Sequence, residues 1–170
     1  MYLTKLYNVN GDDYEIHRIV MSHFPGTRPL FQTKGGCVTV LSENKPVSLN
    51  KHDETEVITL TFTAGDIRLF TLRINPTKRD NTTKKLCGLH GNDVLRWISR
   101  KSSEAGFDIL DYKIEDEGLR LSKKNGMTIT LRSIFLTGVL QVTDPDKFIL
   151  AVKKGIGRAK GMGLGLINIF

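Results

Sequence analysis

Tyr14, His17 and Arg18 stand within five residues of one another in the segment YEIHRIV. An unperturbed imidazole titrates near neutral pH and moves protons there, and a phenol beside it is a second hydrogen-bonding group. The apolar residues Ile16, Ile19, Val20 and Phe24 have helical spacing. On that wheel His17 lies about 80° from the centre of the apolar face, and Tyr14, three residues earlier, shares its flank. An imidazole and a phenol therefore project together from the edge of a packed helix, with a guanidinium adjacent. This is a general acid–base arrangement, although an ordinary surface histidine is the commoner case and the residues alone do not overturn it. The other histidines, 23, 52 and 90, form no HExxH pair. Cys37 and Cys87 are far apart and lack metal-ligand spacing. No metal site, disulfide scaffold or cofactor is expected.

The second unusual feature is the run GIGRAKGMGLGL at 155–166, with Gly155, Gly157, Gly161, Gly163 and Gly165. No Gly-Lys-Ser/Thr follows, so it is not a P-loop. Its place after a helix and before a strand reverses the order of a dinucleotide fingerprint. Such glycines let backbone approach a ligand closely, and their free N–H groups suit phosphates. Arg158 and Lys160 add charge inside the run. A tight helix-to-strand crossing that needs only small residues is the alternative.

Charge points the same way. The 170 residues carry 25 Lys+Arg against 18 Asp+Glu, a net of +7. Residues 1–64 hold 6 basic and 7 acidic residues, and 65–170 hold 19 and 11. The excess lies on 66–85, which includes Arg68, Arg73, Lys78, Arg79, Lys84 and Lys85, and on the tail 147–170, which has no acid. Clustering favours a polyanion groove, and a merely solvated basic face is the alternative. With 39% hydrophobic residues the chain can form a core. It has no apolar run of about 20 residues and no signal-like start, so a soluble cytoplasmic protein is expected, without membrane contact.

The elements that must position these groups follow from periodicity and punctuation. Residues 1–8 suggest a strand, Gly11-Asp12-Asp13 a turn and N-cap, and 14–24 the histidine helix, stopped by Pro25-Gly26. Leu30–Thr33 and Cys37–Leu41 flank Lys34-Gly35-Gly36 as a hairpin. Residues 42–56 suggest a loop or one short helix. Val57–Thr63 and Ile67–Ile74 alternate as strands, and 76–91 is a basic irregular connection. A second helix starts at an Asn92 cap and carries Val94, Trp97, Ile98 and Ala105. Phe107–Ile114, Gly118–Ser122 and Met127–Val142 suggest strands, with Asn125-Gly126 a hairpin turn. A third helix opens at Asp144-Pro145 and stops at Gly155, and Leu164–Phe170 is a last strand. The order predicts an α+β fold of two tandem ferredoxin-like (βαββαβ) domains, 1–64 and 65–170, the first trimmed.

Several blocks together resemble the CRISPR repeat-processing endoribonucleases, in particular the small CasE branch of subtype I-E. They are MYLTKL at the start, YEIHRIVMSHFPG at 14–26, LRINPTKR at 72–79, VLRWISRKSSEAGFDIL at 94–110, FLTGVLQVTDPDKF at 135–148 and GIGRAKGMGLGL at 155–166. They keep the family's order and span nearly the whole chain. The resemblance implies metal-independent cleavage of repeat RNA, with His17 catalytic and Tyr14 beside it. The 2′-OH upstream of the scissile phosphate attacks, leaving a 2′,3′-cyclic (or 3′) phosphate and a 5′-OH. It also implies an RNA stem-loop partner and membership of a Cascade-like effector complex. Expected RNA contacts are Arg18, Arg73, Lys78 and Arg79, then Lys123, Lys124 and Arg132 on the hairpin, and Arg158 and Lys160 in the glycine-rich loop. This chain is shorter than expected for the family between 42 and 56 and in 111–134, so the first domain's second helix is reduced or absent. The short length also fits a type IV or mobile-element variant. No lysine lies on the histidine helix, so a cation for the cleaved phosphate must come from elsewhere. The alternative within the same fold is an inactive repeat-hairpin-binding subunit. A general RNA-recognition domain is disfavoured, because Ile129–Ile134 lacks the aromatic Lys/Arg-Gly-Phe-x-Phe signature.

Overall fold

A computed structural model describes the whole chain, Met1–Phe170. Strand β1 (Tyr2–Leu6) leads into helix α1 (Asp13–His23). Asp12 starts the helix. Its carboxylate accepts from the Tyr14 and Glu15 backbone N–H groups, and the Glu15 carboxylate accepts from the Asp12 N–H. A reciprocal capping box of this kind stabilises a helix start by about 1 kcal/mol. Strands β2 (Leu30–Lys34) and β3 (Cys37–Ser42) form the expected hairpin. Gly35 and Gly36 both have positive φ, which only glycine adopts freely.

Strand β4 (Glu54–Val57) pairs with the free edge of β1 and completes the antiparallel order β2-β3-β1-β4. This is the ferredoxin-like order with the second helix missing, since no helix lies between β3 and β4. The strand expected at Val57–Thr63 is therefore displaced. Strand β4 ends at Val57; beyond it Ile58 bonds Met1, and the backbone next bonds across at Gly65 and Asp66, to Val142. The alternation there is real but marks one-sided burial: Ile58, Leu60 and Phe62 pack on the larger core, and Phe62 meets the Phe148 ring edge-on at 4.8 Å.

The remaining elements are β5 (Ile67–Ile74), β6 (Thr77–Arg79), β7 (Leu86–Gly88), α2 (Asn92–Glu104), β8 (Phe107–Lys124), β9 (Met127–Val142), α3 (Pro145–Lys154) and β10 (Ile167–Ile169). A single 3-10 turn, Lys160–Met162, lies in the glycine-rich run. The second sheet has the order β10-β5-β9-β8, all antiparallel, with α2 and α3 as its crossovers. That is a complete ferredoxin-like unit, so the α+β fold of two such units, the first trimmed, is the fold observed. Three local expectations change. The connection 76–91 contains a two-stranded β6–β7 ribbon. Gly91, not Asn92, occupies the α2 N-cap, without a side-chain hydrogen bond. The two strands expected over 107–122 are one, interrupted by irregularities at Ile109/Asp111 and Asp116/Gly118.

β8 and β9 outrun their neighbour. β5 pairs with β9 only as far as Ile134, so the hairpin beyond Ser133 stands clear of the sheet as an arm. Two cores result. The smaller places Ile16, Val20 and Phe24 of α1 on Leu6, Phe31, Val38 and Val40. The larger belongs mainly to the second sheet but also takes in Leu30 and Leu41. The first sheet is therefore buried on both faces, by α1 and by the second unit.

Candidate active site and nucleic-acid interface

The capping box fixes the phase of α1, and burial of Ile16 and Val20 turns Tyr14 and His17 to its edge. Their rings stack with centroids 6.0 Å apart and planes 21° apart. The glycine-rich loop closes over the imidazole. A side chain begun at Gly161 would start 3.7 Å from both Cε1 and Nδ1 of His17. Nδ1 is buried there without a hydrogen-bond partner, whereas Nε2 is neither bonded nor buried. One ring nitrogen is thus covered and the other presented.

The other loop glycines serve packing. Gly157 lies against Trp97, Gly163 against Phe31, and Gly155 against Leu30 and the Gly165 carbonyl. The run is the tight crossing that small residues allow, and the same close approach brings its backbone onto His17.

The arm reaches α1 from the other direction. The Lys123 backbone N–H donates to Asp12 Oδ2 at 3.0 Å, and Arg120 forms an ion pair with the buried Asp13. Burial raises the Asp13 carboxyl above its ordinary pKa, with Arg120 opposing. The backbone donors of Glu15 and Lys123 hold Asp12 below its ordinary value. Lys124 Nζ sits 5.6 Å from the centre of the Tyr14 ring.

The expected cations divide into those that stay free and those that do not. Arg73 is a correction. It is buried, donates to both Glu117 oxygens at 2.8 Å and to Thr33, and lies over Phe135. Every arm of its guanidinium is engaged inside the protein, which leaves it no phosphate to hold. Strand alternation turns Arg73 away from Leu72 and Ile74, and the face it points to is covered by β2. Arg132 is similarly committed to Asp116, with its Nε buried and unpartnered. Arg18 is exposed and lines a shallow pocket with Asn10, Glu15, Ile19 and Ser22, which neither Tyr14 nor His17 joins. Lys78 is exposed but pairs with Asp93 at 3.3 Å. Arg79, Lys123, Lys124 and Arg158 are exposed and Lys160 half-buried.

Two adjoining grooves collect cations that sequence reasoning missed. One, of about 550 Å³, lies between α2, α3 and the glycine-rich loop, and is lined by Arg100, Lys101, Lys147, Lys154, Arg158 and Lys160. The other, of about 520 Å³, carries Lys78, Arg79 and Arg96 beside the β6–β7 ribbon. They share Thr77, Trp97 and Arg100, so a basic trough runs from the ribbon across α2 to the loop that covers His17. The available signal was the i, i+4 spacing of Arg96 and Arg100 and the i, i+7 spacing of Lys147 and Lys154, each opposite an apolar stripe.

The family model described as CRISPR associated protein matches residues 4–170. This chain belongs to that family. It is 27% identical to the CRISPR system Cascade subunit CasE of Escherichia coli (strain K12) over a 198-residue alignment that covers 99% of this chain and 98% of that protein. It is 28% identical over 113 residues to the CRISPR-associated endoribonuclease Cse3 of Thermus thermophilus, covering 59% of this chain and 54% of Cse3. The sequence match thus spans about half the length of Cse3 but nearly all of CasE. A structure of CRISPR endoribonuclease Cse3 bound to a 19-nucleotide RNA superimposes with a TM-score of 0.88 over the full length of both chains, at 22% identity. No helix is long and apolar enough to cross a membrane.

Proposed function

We propose that this chain is a metal-independent endoribonuclease that cuts precursor CRISPR RNA at repeat stem-loops. One observation carries the proposal: the stacked Tyr14–His17 pair, with Nδ1 sealed by Gly161 and Nε2 left open, lies where the basic trough ends. In the reaction the 2′-oxygen bonds to phosphorus and the P–O5′ bond breaks. The 2′-OH proton leaves to a base and O5′ receives one from an acid, and the open imidazole nitrogen is the group suited to one of these transfers. Both reactive oxygens belong to the RNA, so a metal-bound nucleophile is not required. The products carry a 5′-OH and a 2′,3′-cyclic (or 3′) phosphate. The trough suits an RNA backbone, since duplex RNA is recognised chiefly through shape and phosphate contacts.

The product hairpin stays bound, and the chain works in the cytoplasm as a subunit of a Cascade-like complex. The division into 1–64, which carries the histidine, and 65–170, which carries the trough, belongs to the same proposal. To test it, repeat RNA is incubated with protein in EDTA, with and without His17→Ala. Cleavage by the wild type, lost in the variant while binding persists, is expected. Cleavage that needs Mg²⁺ or survives the substitution refutes the mechanism. Binding without any cleavage returns the chain to the role of an inactive hairpin-binding subunit. A single 2′-deoxyribose at the cut site should block the reaction and spare affinity.

A further inference from the structure

We infer that Lys124, at the tip of the β8–β9 arm, supplies the cation that steadies the charge developing on the cleaved phosphate. This rests on the cleavage reading above and deepens it. In-line attack places added negative charge on the phosphorane oxygens, and a positioned cation in a partly enclosed site lowers that barrier. Helix α1 itself offers only Arg18, which lines a shallow pocket with Glu15, Ile19 and Ser22 that neither Tyr14 nor His17 joins. Arg120 is spent on Asp13. Arg158 and Lys160 line the α2–α3 groove, and the Lys160 stem folds back against Gly165.

Lys124 differs because the arm delivers it. Side chains alternate along β8, so Arg120, Ser122 and Lys124 share one face and Lys123 takes the other. The first face is the one laid on α1: Arg120 grips Asp13, and Ser122 is buried. The two aspartates that open α1 thus fasten the arm beside the catalytic pair, Asp13 through Arg120 and Asp12 through the Lys123 backbone. One residue further on, the Lys124 ammonium rests on the Tyr14 ring, whose other contact is His17. Its four-carbon stem lets it leave the ring for a phosphate held at the pair. The lysine takes part in neither proton transfer; both stay with the groups named above.

The test is single-turnover cleavage at saturating protein, with affinity measured separately on a 2′-deoxy substrate. Lys124→Ala should slow cleavage about 10²-fold, the usual loss when one such stabilising group is removed, with affinity changed less than about threefold. Lys124→Arg should recover most of the rate, and Lys113→Ala, an exposed lysine on β8 short of the arm, should leave it unchanged. Lys124→Ala cleaving at the wild-type rate, losing rate only in proportion to weaker binding, or gaining nothing from arginine overturns the assignment. If such cleavage is still abolished by His17→Ala, only the role of Lys124 fails. A wild type that leaves the RNA intact overturns both readings.

Discussion

Replacing Arg73 by methionine should destabilise the fold and leave RNA binding by the folded protein intact. The guanidinium is 7% exposed and its partner Glu117 22% exposed. Cutting a fully buried ion pair by removing one partner costs about 3–5 kcal/mol, because the other charge is left uncompensated. Glu117 is less enclosed than that and keeps the Ser133 hydroxyl, with Arg120 at 3.9 Å. The expected loss is therefore about 2–4 kcal/mol, a large share of the roughly 5–15 kcal/mol that holds a domain of this size. The chain has a single tryptophan, Trp97, buried in the larger core, so urea unfolding can be followed by its fluorescence. Arg73→Met should lower the urea midpoint. Adding Glu117→Gln should cost much less than it does alone, since the stranded charge is then gone. If Arg73→Met left the midpoint unchanged while lowering RNA affinity and reducing the salt slope by about one, Arg73 would be an RNA contact and the inside assignment wrong.

Three further outcomes follow from the geometry. Gly161→Leu should retain the fold, because φ there is not positive and the residue is exposed, yet cut single-turnover cleavage about 10²-fold by pushing the loop off His17. An unaltered rate would mean that the loop does not set the imidazole. Lys154→Ala and Arg158→Ala should each weaken RNA binding and each lower its salt slope by about one, as loss of a single phosphate contact does. Stability should stay level as pH falls toward about 4.5 and then decline. Burial opposes ionisation of Glu117, but hydrogen bonds from Arg73 and Ser133 and the nearby positive charges outweigh it and hold its carboxyl below the ordinary value. The stability it contributes is present above the unfolded carboxylate pKa and lost as pH falls through the lower folded one. Asp13, raised by burial, acts with the opposite sign. Glu117→Gln should flatten the acid limb of a urea-midpoint titration, and an unchanged limb would place the linkage elsewhere.

Helix α1 and its Tyr14–His17 flank were legible because the deciding signals are local: an aspartate cap, a glutamate three residues on, and an apolar stripe that fixes rotation. Strand β5 was legible, but the fate of Arg73 was not. Alternation tells which face a side chain takes, and only the docking of β2 decides whether that face meets water. The same limit hid β4. Ile58, Leu60 and Phe62 alternate because one side is buried, while strand pairing with β1 covers Glu54–Val57 and ends with the Ile58–Met1 bonds. The trough was split in sequence between α2, α3 and the β6–β7 ribbon, so its cations looked like separate solvated faces until the helices were packed side by side.

The walls around His17 bear on the proposed division at residue 64. The imidazole is carried by the first unit, yet Gly161 and the arm that cover its flank come from the second. The second unit also covers the first sheet, through Leu30 and Leu41. Residues 1–64 alone would keep seven buried apolar side chains in their own core, lose cover from the other face of the sheet, and strand the buried Asp13 without Arg120. Chains of about 60 residues are marginal even with an intact core. The expected result is that this fragment fails to unfold cooperatively in urea and shows little amide-exchange protection in α1. Protection of Ile16 and Val20 close to that in the full chain would refute it. A failing fragment would mean that the half bearing the catalytic candidate is folded by the half that carries the basic trough, so that the trough and the histidine are coupled through one shared core rather than through a linker.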